Sequence, residues 1–296
     1  TFIKDFDDRS LNEFRNQLRE EKRNKYPNNL SNIDFLKASN LMIDGYLTRS
    51  GALLFGKNPQ EVCSSAITQI AIYHGKDKGA KFEKRQYEST LPSQIIDGHN
   101  YIASKVGKFQ DSVAGRAQLE TRYEYPMKCV REIIANAIAH RDYEDHTRLV
   151  HIYLFFDRIE ILSPGNWFGK TLIEGKSYQI SQLISPSVKR NFELAQKLSW
   201  IELMEVDGRG IPKVIQDCEE SNAPIPEVVQ QDGFVKVTIW PSRDFKKMNA
   251  YIIPHQVPRP PATFKGRENE ISQILPGLEK GSTIAGLRGM GGVGKT

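Results

Sequence analysis

Glu132, Asn136 and His140 stand four residues apart within Lys128-Cys-Val-Arg-Glu-Ile-Ile-Ala-Asn-Ala-Ile-Ala-His-Arg-Asp-Tyr143. Positions i, i+4 and i+8 share one stripe of an α-helix, so a carboxylate, an amide and an imidazole would line a single flank. Groups of these types can hold a metal ion, polarise a water or meet a phosphate. In a half-buried place each needs a partner, and either the protein or a ligand must supply it. Val130, Ile133, Ile134, Ala137 and Ile138 recur at three- and four-residue steps beside that stripe, which predicts that the helix lies against a core.

Glycines mark three further places. In Glu205-Val-Asp-Gly-Arg-Gly-Ile211, Gly208 and Gly210 open a helix running to about Asp217, where backbone amides could approach an anion closely. Arg148–Phe156 and Arg158–Leu162 read as two strands, followed by Ser163-Pro164-Gly165-Asn166 as a turn. At the end of the chain, Gly289-Met-Gly-Gly-Val-Gly294-Lys295-Thr296 follows a strand at 282–286 and has the pattern of a phosphate-binding loop. Its glycines expose amides to phosphate, Lys295 would reach the terminal phosphates and Thr296 would hold magnesium. His140-Arg141-Asp142 also matches the catalytic tripeptide of protein kinases. That pattern needs Asn five residues after the Asp, and Thr147 stands there.

The elements that must position these residues are legible in outline. Residues 9–24 form a charged surface helix with Leu11, Phe14 and Leu18 on a narrow apolar edge. Short helices at 33–38 and 50–55 flank a turn at Asp44-Gly45, with a strand pair between them. Strands at 66–73 and 82–87 are joined by a loop carrying Lys76, Lys78 and Lys81, which could meet phosphate, although exposed lysines at a hairpin tip usually face water. A helix from Leu91 to about Gly107 leads to the central helix, where Pro126 suits the first turn. Phe234–Trp240 alternates as a closing strand. Ile253-Pro-His-Gln-Val-Pro-Arg-Pro-Pro261 then predicts an extended linker, and a helix begins near Phe264.

The chain of 296 residues is 39% hydrophobic, enough to bury at least one good core. No apolar run approaches the eighteen or so residues of a membrane span. Its net charge of +5 comes from interspersed signs, which permits nucleic-acid contact without predicting it. Cys63, Cys129 and Cys218 are far apart and lack metal-ligand spacing, as expected of thiols in a reducing, cytoplasmic compartment. The chain opens on Thr1 and closes inside a motif, so it reads as a fragment.

Gly51-Ala-Leu-Leu-Phe-Gly-Lys-Asn-Pro59, Glu132-Ile-Ile-Ala-Asn136-Ala-Ile-Ala-His140-Arg-Asp-Tyr143, Arg158-Ile-Glu-Ile-Leu-Ser-Pro-Gly165, Arg190-Asn191 and Gly208-Arg-Gly210-Ile211 occur in this order. The set resembles the divergent ATP-binding domain of RecG-like transcriptional regulators. That domain is a branch of the gyrase, chaperone and histidine-kinase ATPase superfamily, and the resemblance covers roughly residues 1–242. It implies an α+β two-layer sandwich that binds ATP and Mg2+. Asn136 would coordinate the magnesium and Glu132 would orient or activate water, with Gly208 and Gly210 beside the phosphates. His140, Gly165, Arg190 and Asn191 would also lie at the nucleotide. Where that superfamily reads adenine with the aspartate of an Asp-x-Gly-x-Gly box, this chain holds Ser163-Pro164-Gly165. Phe264-Lys-Gly-Arg-Glu and the phosphate-binding loop resemble the start of NB-ARC-type signalling NTPases, which oligomerise on sensing a target.

The expected architecture is α/β, with an N-terminal α/β subdomain (1–118), an ATP-binding domain (119–242), a Pro-rich linker (243–263) and the start of a P-loop NTPase (264–296). The expected function is an ATP-binding regulatory module in transcription control or a signalling and defence ATPase. DNA or RNA would be met through other parts of the protein, and homo-oligomers are expected. The alternative is a non-enzymatic sensor or dimerisation module.

Overall fold

The computed structural model describes residues 4–112, 119–184, 190–205 and 208–245. Gly289, Gly294, Lys295 and Thr296, with the chain from 246 onward, lie outside the described residues.

The charged stretch at the N-terminus is two helices rather than one, α1 (Asp8–Asn16) and α2 (Glu20–Lys25). The Asp7 carboxylate caps α1 by accepting from the Arg9 and Ser10 amides. Its apolar edge is core and not surface. Leu11, Phe14 and Leu18 are buried, and the Phe14 ring meets Phe35 and Phe55 edge-on. Ser31 caps α3 (Asn32–Ala38) and Thr48 caps α4 (Arg49–Phe55). Between them β1 (Met42–Ile43) and β2 (Tyr46–Leu47) form a hairpin turned by Asp44 and Gly45. Both turn residues have positive φ, 50° and 80°, the tight turn that matches strand twist.

The remaining elements are β3 (Thr68–Tyr73), β4 (Phe82–Tyr87), α5 (Leu91–Lys105), a separate hairpin of β5 (Lys108–Ser112) and β6 (Leu119–Tyr123), α6 (Met127–Ala139), β7 (Val150–Leu154), β8 (Ile159–Pro164), β9 (Ser177–Gln179), α7 (Phe192–Trp200), α8 (Gly210–Glu220), β10 (Glu227–Gln231) and β11 (Phe234–Ile239). Seven strands make one sheet in the order β4-β3-β7-β8-β11-β10-β9. Only the β3–β7 pairing is parallel, and the other five are antiparallel.

Helices α5 and α8 each pack against α6, and α5 and α6 lie against the sheet. Ile70, Val150, Ile152, Ile159, Ile161, Val228 and Val237 form the buried sheet side of that core. Ala71, Tyr73, Tyr153 and Phe155 make a small second cluster of their own. On the strands these residues alternate with the core-facing ones, so the cluster lies on the opposite face of the sheet. Lys78, one of the loop lysines, is exposed and its ammonium lies over the Tyr153 ring at 4.2 Å. The architecture is an α+β two-layer sandwich. Among the described residues no helix is long and apolar enough to cross a membrane.

Candidate functional site

Helix α6 brings the first candidates together. Its buried face comprises Val130, Ile133, Ile134, Ala137 and Ile138, leaving Glu132 and Asn136 half-buried on the adjoining flank. The helix stops at Ala139. His140 is therefore its C-cap rather than a residue of a third full turn, and its amide donates to the Asn136 carbonyl. The Asp217 carboxylate in α8 accepts the Cys129 amide at 2.6 Å, placing an anion at the start of α6 and fixing α8 against it. Cys129 and Cys218 are both fully buried at this contact. A hydrogen bond with Cys218, then burial, push the Cys129 thiol well above its ordinary range, so it is an unreactive thiol.

That packing sets Gly210, the first residue of α8, against Glu132. A Cβ on Gly210 would lie 2.7 Å from Glu132 Oε1. The Asn136 amide donates to the Glu132 carbonyl at 2.7 Å and to Glu132 Oε1 at 2.9 Å, which uses both of its hydrogens. The group that Asn136 can still offer to a cation is its Oδ1. The Glu205 amide donates to the two Glu132 oxygens at 3.3 and 3.2 Å. Burial raises the Glu132 pKa above the ordinary carboxylate value. The bonds from Asn136 and Glu205 pull it back in part, and the nearby Glu205 charge adds to the rise. Lys213 hydrogen-bonds Glu205 in turn.

Beside this cluster lies a cavity of about 180 Å³. Asn136, Glu205, Gly208 and Gly210 line its polar end. Ile133 and Ala137 of α6, Ile161 of β8, and Val235 and Val237 of β11 line its apolar body. Trp167, Phe168 and Ile184 stand at the wall, where Phe168 and Ile184 are exposed to solvent. Gly208 takes φ +76°, a backbone state that favours glycine. Among the described residues no three His, Cys, Asp or Glu side chains are grouped to hold a metal. A divalent cation here would rest on Asn136 Oδ1 and on oxygens brought by its ligand, the usual habit of magnesium.

His140 lines the cavity. Gly165, Arg190 and Asn191 do not, and they hold its surroundings. Gly165 has φ +109°, and a Cβ there would lie 2.3 Å from Arg190 Nη1. Arg190 also pairs with Asp142 at 3.2 Å and donates to the Asn166 carbonyl at 3.2 Å. Asn191 donates to the carbonyls of Ala139 and Arg141, both at 2.8 Å, closing the C-terminus of α6.

Two residues carry more than their sequence suggests. Ser163 and Pro164 belong to β8 rather than to a turn, and Ser163 lines the cavity. Its signal was the period of two through Ile159, Ile161 and Ser163, which extends the inward face one step further. Arg141 is fully buried, and its guanidinium donates to Ser65 and to the carbonyls of Asp145 and Arg148. It pins the loop from α6 to β7, and no periodicity marks it.

Two family profiles match the chain. Residues 148–239 match the family described as "Putative ATP-dependent DNA helicase recG C-terminal", an ATPase-type domain. Gly165, Arg190, Asn191, Gly208 and Gly210 fall inside that match, whereas Glu132, Asn136 and His140 precede it. Residues 1–66 match a domain of unknown function. No curated protein matches the chain. Among solved structures it is similar to the DIP2311 protein from Corynebacterium diphtheriae, with 17% identity and a TM-score of 0.63. The likeness covers 82% of this chain and 46% of that one, so the chain spans about half of its length. At this identity the likeness speaks to the fold alone.

Proposed function

We propose that residues 119–242 are an ATP- and magnesium-binding regulatory module, acting in transcription control or in a signalling and defence ATPase. The observation that carries this reading is the Glu132–Asn136 pair set against Gly210 at the polar end of a largely apolar cavity. The ATPase-type profile over residues 148–239 supports it. A base fits the apolar body, and phosphates fit the glycine-opened start of α8, where amides and the helix dipole favour anions. Magnesium, held through Asn136 Oδ1, would neutralise phosphate charge. Glu132, its pKa raised by burial, takes a proton from an attacking water. Arg190 and Asn191 act by position, holding the segment after β8 and the end of α6.

The phosphate-binding loop of Gly289, Gly294, Lys295 and Thr296 is proposed, on its motif alone, as a second magnesium-nucleotide site belonging to an NB-ARC-type NTPase. Contact with DNA or RNA through other parts of the protein, homo-oligomerisation and a cytoplasmic setting belong to the same proposal.

A non-enzymatic dimerisation module is the second reading. The exposed Phe168 and Ile184 at the cavity favour it, since they would be covered on self-association.

Calorimetric titration of ATP with magnesium into the whole chain carrying Lys295→Ala tests the first reading, because that change disables the C-terminal loop. Asn136→Ala in the same background is expected to weaken binding at least about tenfold. Equal binding by both proteins would rule out the proposed site.

A further inference from the structure

The face of the sheet turned away from α5 and α6 carries a line of rings. Phe82 of β4 lies 5.2 Å from Tyr73 of β3, centroid to centroid, and Tyr73 lies 5.9 Å from Tyr153 of β7. His151 stacks on Tyr153 at 5.6 Å and is 6.1 Å from Phe234 of β11. The period of two that buries Ile70, Ile152 and Val237 on one side puts these rings on the other. From β4 to β11 is four strand spacings, about 19 Å. Among the described residues, Leu162 is the one further apolar side chain packed against the cluster at its centre. Phe82 is 53% exposed, and His151 and Phe234 are half-buried, so these three rings keep a surface open to a ligand.

Lysines gather at the same rings. Lys78 lies over Tyr153, and the strand pairing sets Lys84 opposite Ala71 and Lys236 opposite Leu162, which puts both on this face. His151 is held below its ordinary pKa, by burial first and then by the charges of Lys78 and Lys84, so it is a neutral ring at pH 7 with two cations beside it. Among the described residues of β4, β3, β7, β8 and β11, Glu160 is the one carboxylate on this face, and Arg158 already pairs with it at 2.8 Å. No other acid of these strands is there to offset the lysines.

We propose that this face binds single-stranded nucleic acid, with bases stacked on Phe82, His151 and Phe234 and phosphates met by Lys78, Lys84 and Lys236. Rings and cations side by side on an open sheet suit a polymer that alternates flat bases with anionic phosphates. A sheet of about this width holds two or three unstacked bases. An acidic peptide would engage the lysines and leave the rings idle, and a duplex keeps its bases stacked within itself. The surface is on the far side of the sheet from the cavity, so it stands or falls independently of the nucleotide reading.

The test is fluorescence anisotropy with the whole chain and a labelled single strand of about twelve nucleotides, RNA or DNA, against the corresponding duplex. The single strand is expected to bind at least about tenfold more tightly. Phe82→Ala, at an exposed position that folding does not need, should weaken it at least about fivefold. Lys78→Ala, Lys84→Ala and Lys236→Ala combined should lower the slope of log affinity against log salt by about 2. Lys25→Ala, Lys37→Ala and Lys57→Ala combined remove the same charge from exposed sites in the N-terminal segment and should leave that slope unchanged. No binding of the strand, equal binding of the duplex, or equal effects of the two lysine sets overturns the proposal. Self-association of the parent that Phe82→Ala abolishes, with no binding of the strand, also overturns it and assigns the face to a second copy.

Discussion

Asn136 and Glu132, one helical turn apart, form a closed pair in which the amide of Asn136 donates to both the backbone and the side chain of Glu132. The half-buried carboxylate is thereby oriented, and the amide is left with its oxygen as the ligand it can present. Rotation of either side chain would undo both roles.

Glu132 gives a pH signature. Burial raises its folded pKa above the unfolded carboxyl value, so the folded chain holds a proton that the unfolded chain has already released. Stability therefore falls as pH rises from the unfolded carboxyl value of about 4.3 through the folded pKa, and is flat above it. In Glu132→Gln this fall is absent. Calorimetric melting at steps between about pH 4 and 8 should show the variant gaining on the parent across that window and then holding a constant lead. In the Lys295→Ala background, the ATP turnover that the proposed chemistry implies, followed by phosphate release, should drop at least about 100-fold in Glu132→Gln. Unchanged turnover would remove Glu132 from the chemistry.

Gly210→Ala puts a methyl group 2.7 Å from Glu132 Oε1, the end of a side chain that can swing away. The fold should survive with a loss of about 1 kcal/mol in urea unfolding. In the Lys295→Ala background, the stabilisation of the parent by ATP with magnesium, read as a rise in Tm, should vanish. A nucleotide shift equal to that of the parent would mean that the start of α8 does not meet the ligand.

Gly165→Ala faces two penalties, a backbone at φ +109° and a clash with Arg190 Nη1. We expect a destabilisation of about 2–4 kcal/mol. Adding Arg190→Ala removes the clash and keeps the strain. The double variant should therefore lose less than the sum of the two single changes, and strict additivity in urea unfolding would show that the contact carries no cost.

Arg141 is the buried cation that ties the loop after α6 to Ser65. Arg141→Met leaves several buried carbonyls unmet, for a loss of about 2–4 kcal/mol. Arg141→Lys should recover little, because one ammonium cannot reach acceptors spread around a planar fork. Full recovery by lysine would show that charge alone matters there.

The local elements and the residues of one helical flank were legible in the order of amino acids alone. Val130, Ile133, Ile134, Ala137 and Ile138 predicted the buried face of α6, and the four-residue step put Glu132 beside Asn136, because the turn of a helix is fixed by its backbone. Asp44-Gly45 predicted its turn through the positive φ that the second of these residues takes without cost. Contacts between distant segments were not legible in this way. Nothing local states that β3 pairs in parallel with β7, or that Asp217 caps the start of α6 and so brings Gly210 onto Glu132. Leu11, Phe14 and Leu18 looked like the edge of a surface helix, since a three-residue apolar edge has the same pattern whether water or Phe35 and Phe55 lie over it. Arg141 reads as a surface charge until the carbonyls that receive it are assembled. Ser163 becomes a cavity residue only once β11 and α6 close around β8, because which face of a strand is buried is decided by what packs against it.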